Sequence, residues 1–81
     1  MKKVTITIDT DYIPAMALLK LAGVTGTGGQ AGYGIEAGLV SLDGTVIHEK
    51  RKKVYPGQVL SVGREWQILV NKVNDRNDVT D

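Results

Sequence analysis

The 81-residue chain has no cysteine and no phenylalanine, one histidine, one tryptophan and two prolines. Without cysteine there is neither a disulfide framework nor a thiolate metal site, and His48 has no partner at ligand spacing. No apolar run approaches the roughly 20 residues that span a bilayer. The N-terminal MKKVTITIDT alternates threonine with valine and isoleucine, unlike the apolar centre of a signal peptide. A cytoplasmic location is therefore the expectation. There is no Ser-His-Asp grouping, no paired carboxylates and no cluster of metal ligands, so catalysis is not expected. With aromatic residues at 5%, the core has to be built from valine, isoleucine, leucine and alanine. The hydrophobic fraction of 42% still suffices for one small folded domain.

An excess of charge of one sign is also missing: ten Lys and Arg stand against nine Asp and Glu, a net charge of +1. The distribution is uneven, however. In HEKRKK, His48 to Lys53, four cations face Glu49 alone, and no other charge run occurs in the chain.

What is present falls into short elements. In KVTITI, Lys3 to Ile8, Val4, Ile6 and Ile8 share one face and Thr5 and Thr7 the other, which predicts a half-buried strand. Asp9, Thr10 and Asp11 offer capping oxygens, and Pro14 suits a first helical turn. A helix is predicted over about 12–22, ended by Gly23. Ala31, Ile35 and Leu39 recur at helical spacing, and Thr27-Gly-Gly-Gln30 forms a T-x-x-Q capping box, so a second helix is predicted over about 28–37, stopped by Gly38. From Leu39 the period changes to two. LVSL, Asp43-Gly44 and TVIH predict a hairpin, and Tyr55-Pro-Gly-Gln58 a type II turn. VLSV, Gly63-Arg64 and EWQILV predict a second hairpin with a two-residue turn and a buried Trp66. Residues 1–70 form the expected domain. The segment 71–81 lacks periodicity and is expected to be a flexible tail.

Seven of the ten glycines lie between Val24 and Gly44, and Gly26 to Ala31 even matches the dinucleotide-binding pattern G-x-G-x-x-A. That pattern works where a buried strand delivers the chain into the glycine turn and a βαβ unit follows. Here a helix precedes it and a hairpin follows, and no Gly-Lys-Ser/Thr is present, so no nucleotide cofactor is expected. A helix N-terminus opened by Gly28 and Gly29 still offers unobstructed amides to a phosphate, although the same glycines would serve close helix packing. Lys50 to Lys53 could be a solvated face, but they follow a hairpin strand and would extend from one edge of a small domain. Tyr33 and Tyr55 could stack on bases or cap the core.

The order of these pieces resembles the S4 RNA-binding domain. The resemblance is carried by Leu18 to Ala22 in the first helix and by Thr27, Gly28, Gly29, Gln30 and Ala31 opening the second. It continues through GLVSLDG, Gly38 to Gly44, and RKKVYPG, Arg51 to Gly57. It covers about residues 4 to 70 and is closest to the small stand-alone S4-like proteins of bacteria, of the YaaA and YbcJ type. It implies an α+β fold, a two-helix motif on a small, mostly antiparallel sheet, and a bacterial cytoplasmic monomer. The implied partner is structured RNA, ribosomal RNA or a ribosomal subunit in particular. S4 domains typically carry Ser-Arg where this chain has Gly28 and Gly29, and the stand-alone relatives a lysine where it has Gly32. That departure shifts the expected contacts toward Lys20, Lys50, Arg51, Lys52 and Lys53, with Thr27, Gly28, Gly29 and Gln30 contributing the helix end. The competing expectation is a protein-interaction adaptor that kept the fold and lost RNA affinity.

Overall fold

The computed structural model describes residues 2–24 and 28–73. Strand β1 (Lys2–Ile8) leads through a short strand β2 (Ile13–Pro14) into helix α1 (Ala15–Leu21), followed by α2 (Gly28–Glu36). The hairpin β3 (Val40–Leu42) and β4 (Thr45–Val46) comes next, then β5 (Lys53–Val54), β6 (Val59–Val62) and β7 (Trp66–Lys72). Five strands form one sheet in the order β1-β7-β6-β3-β4, while β2 and β5 pair antiparallel as a separate two-stranded ribbon. The sheet is mostly antiparallel, and the two helices pack on it as an α+β domain.

The exception is β1, which runs parallel to β7, from Lys2 opposite Trp66 to Ile8 opposite Lys72. That register sets Val4 and Ile6 beside the fully buried Ile68 and Val70 and leaves Thr5 and Thr7 exposed. The alternation legible in the sequence thus fixes which face of β1 turns inward. One core cluster collects Leu18 and Leu19 of α1, Ala31 and Ile35 of α2, and Val40, Leu60, Ile68 and Val70 of the sheet.

Four local expectations are corrected by tertiary contacts. The first helix starts at Ala15 rather than near Tyr12, because Ile13 and Pro14 pair with Val54 and Lys53. Pro14 is its N-cap residue and supplies no side-chain hydrogen bond. Thr10 Oγ1 donates instead to the Tyr12 carbonyl, at 2.7 Å. Second, β6 and β7 are joined by three residues, Gly63 to Glu65, with Val62 opposite Trp66. A two-residue turn would slip the register by one and set Gln67, in place of Ile68, opposite the buried Leu60. Third, Trp66 is only half-buried, its ring carrying the Lys2 ammonium 5.0 Å from the centroid. Fourth, Leu39 lies beyond α2 and is exposed, so the buried stripe of that helix is Ala31 and Ile35.

Both helices stop by the same device. The amide of Gly23 donates to the Lys20 carbonyl and that of Val24 to Leu19. In α2 the amide of Gly38 donates to Ile35 and that of Leu39 to Gly34. This is the Schellman arrangement, and Gly23 and Gly38 take the left-handed conformation it requires, with φ of 79° and 80°. The hairpin turn has φ of 50° at Asp43 and 89° at Gly44, the two left-handed residues of a type I′ turn. Strand β7 continues through Lys72, and 74–81 lie outside the described residues.

Candidate functional site

The basic segment is held at both ends by buried aliphatic residues, Ile47 after β4 and Val54 in β5. Between them its backbone lies across the start of α1. The Ala15 amide donates to the Lys52 carbonyl at 2.9 Å, and the Met16 amide to the Lys50 carbonyl at 3.1 Å. A helix leaves its first amides without intrahelical acceptors, and here the basic segment supplies two. Because the carbonyls point into the helix, the segment forms a strap whose side chains Lys50, Arg51, Lys52 and Lys53 are all exposed.

Those four cations fan out rather than cluster. Lys50 crosses α2 at Gly32: a Cβ placed on Gly32 would lie 2.6 Å from the Lys50 Cδ. The ammonium group then reaches Glu36 at 3.5 Å. Arg51 and Lys20 line one concavity together with Pro14, Met16 and Ala17. Lys52 lines an open depression with His48, Glu49 and Gln58. Lys53 lies over the ring of Tyr12, 4.9 Å from its centroid, and Tyr12 is tilted against Tyr55 with 5.8 Å between centroids.

Gly28, Gly29 and Gln30 form the first turn of α2, whose opening turn carries no acidic residue. Thr27 and its capping box lie outside the described residues. Of the tyrosines singled out in the sequence, Tyr33 is 73% exposed on α2 and Tyr55 pairs with Tyr12, so neither is a core residue. Sequence spacing missed Tyr12 and Met16, and Gly32 reads in the sequence only as a missing lysine. Only the pairing of Pro14 with Lys53 brings the first into contact with the strap, and only the packing of the strap on α1 and α2 brings in the others.

The far end of the strap is locked as well. Asp43, in the hairpin turn, accepts hydrogen bonds from the Val59 amide at 2.9 Å and from Gln58 Nε2 at 3.0 Å. Gln58 Oε1 in turn accepts from the Tyr55 amide at 2.8 Å. The Asp-Gly and Pro-Gly-Gln signals of the sequence are thus two halves of one hydrogen-bonded corner.

Fold and site together define a small α+β domain in which a cationic strap is bound to the start of one helix and crossed over a second. Residues 6–71 match the S4 domain, and the chain belongs to that family. It is also similar to the solution structure of YbcJ from E. coli, described as revealing an αL motif involved in RNA binding. The two share 33% identity and a TM-score of 0.60, over 85% of this chain and 87% of that one. Among curated proteins none matches.

Proposed function

We propose that this protein is a non-catalytic binder of structured RNA, acting as a cytoplasmic monomer on ribosomal RNA or a ribosomal subunit. The observation that carries the proposal is the strap. Two of its carbonyls accept hydrogen bonds from the start of α1, so four exposed cations are presented from a fixed track beside Lys20, in a chain whose net charge is only +1. The amides of Gly28 and Gly29 and the Gln30 side chain would take a further phosphate at the start of α2, and Thr27 is proposed as part of the same RNA-binding set. Membership of the S4 family and the RNA-binding motif ascribed to YbcJ support this assignment. Contacts of this kind position the RNA without reading its sequence.

The test is a titration of labelled ribosomal RNA fragments at several salt concentrations. If about three cations each neutralise a phosphate, log K falls against log salt with a slope of roughly −2 to −3. Changing Lys50, Lys52 and Lys53 together to Gln flattens that slope and weakens binding to different structured RNAs by similar factors, with little change in thermal stability. An unchanged affinity and slope would make the strap a solvated face. The adaptor alternative would then gain, favoured by the Lys50–Glu36 pair, which already answers one of the cations.

A further inference from the structure

We infer that the concavity between α1 and the strap is a site for a single unpaired nucleobase of the bound RNA. This rests on the RNA-binding assignment above and goes beyond it. The hollow is about 470 Å³ and is lined by Pro14, Met16, Ala17, Lys20 and Arg51. Three of the five contribute a pyrrolidine ring, a thioether and a methyl group, side chains that pack against the face of a flat aromatic ring and offer it no hydrogen-bond partner. The other two are cations. Among the described residues neither Lys20 nor Arg51 has a carboxylate within ion-pair distance, whereas Lys50 is matched by Glu36 and Lys72 by Asp11.

An apolar lining shared with two cations suits a ligand that joins a flat apolar face to nearby anionic groups. A paired RNA helix does not meet that description, because its bases are stacked inside and present ribose, phosphate and base edges to a protein surface but no base face. A nucleotide turned out of a bulge or loop does, with its base on the apolar side chains and its flanking phosphates on Lys20 and Arg51. The geometry also favours a site that is formed before RNA arrives. The backbone at Pro14 is fixed by its pairing with Lys53, and that at Met16 by the hydrogen bond from its amide to the Lys50 carbonyl. Stacking on such a lining does not distinguish the four bases strongly. The site selects an unpaired nucleotide rather than a sequence.

Two RNA hairpins of identical stem, each closed by a non-nucleotide linker in place of a loop, test this: one is fully paired and the other has a single bulged adenine replaced by 2-aminopurine. The wild-type protein is expected to bind the bulged hairpin about ten-fold more tightly, within the range that base stacking supplies. The 2-aminopurine emission should change on binding. Ala17→Leu, which fills the hollow, is expected to equalise the two affinities. A second measurement needs no variant: with methyl-labelled methionine, the Met16 signal should take a ring-current shift with the bulged hairpin and none with the paired one. Equal affinity for both hairpins with a salt-dependent slope would overturn the nucleobase site and leave RNA binding standing. No affinity for either would remove the RNA-binding assignment and the site with it. A Met16 shift caused by an acidic leucine-containing peptide, and not by the bulged hairpin, would make the hollow a protein-docking groove and overturn the proposal.

Discussion

Helices α1 and α2 stop alike, each on a glycine with positive φ, but they start and pack on different terms. Helix α1 contains no glycine, buries Ala15, Leu18 and Leu19, and begins under two carbonyls of the strap. Helix α2 has glycine at four of its nine positions, draws its buried contacts from Ala31 and Ile35, and lies beneath the Lys50 side chain. An interior glycine costs a helix about 1 kcal/mol relative to alanine. The first helix would thus be favoured by its own composition, whereas the second persists because tertiary contacts hold it. The weaker helix is also the one whose first turn carries Gly28, Gly29 and Gln30.

That contrast can be broken most directly at Ile35. Ile35→Ala is expected to cost about 2–5 kcal/mol, a large fraction of the stability of so small a domain. Hydrogen exchange should show the amides of α2 losing protection ahead of those of α1; simultaneous loss in both helices would mean that they fold as one unit and that the contrast is only compositional. Next in size is Thr27→Ala, which should destabilise by about 0.5–2 kcal/mol in chemical denaturation if the capping box closes the start of α2. A change within error would place the dependence of α2 elsewhere.

The glycines themselves sharpen the comparison. A Cβ at Gly34 meets nothing within 4 Å, so Gly34→Ala should stabilise the protein by about 1 kcal/mol. Gly32→Ala gains the same helical propensity but pushes the Lys50 stem aside, so its net effect should be smaller and its RNA affinity should fall. Equal stabilisation by the two changes, with unaltered binding, would show that Lys50 simply moves away. The smallest effect is expected from Glu36→Gln, whose exposed ion pair with Lys50 is worth at most about 1 kcal/mol. Stability should barely change, while RNA affinity rises a few-fold as Lys50 is released to a phosphate. A drop in affinity would show that Glu36 holds Lys50 in place for binding rather than competing for it.

Where one stretch of chain carries its own signal, the sequence was legible. Alternation in Lys3 to Ile8 set the inward face of β1, Asp43-Gly44 set the hairpin, and Gly23 and Gly38 set the helix ends. The strap was legible as a run of cations. Its direction was not, because the carbonyls of Lys50 and Lys52 turn toward α1 through contacts between residues more than thirty positions apart. For the same reason Ile13 and Pro14 looked like the start of a helix until Val54 and Lys53 paired with them, and nothing local distinguished a parallel β1–β7 pair from an antiparallel one. Gly32 illustrates the limit best. Read alone it is a missing lysine, but in the fold it is the opening through which Lys50 passes.

The strap's attachment to α1 has an entropic consequence. Ordering one residue of free backbone costs roughly 1–2 kcal/mol, and a basic loop that folded only on contact with RNA would lose that for every residue it ordered. Here Ile47 and Val54 are buried and two carbonyls between them are already bonded to the helix, so the cost is met when the protein folds. Binding then has only the lysine and arginine side chains left to immobilise, and a modest number of phosphate contacts goes further than the same contacts would on a mobile tail. The same coupling runs in reverse: loosening the strap would uncap α1, so binding surface and fold should be lost together.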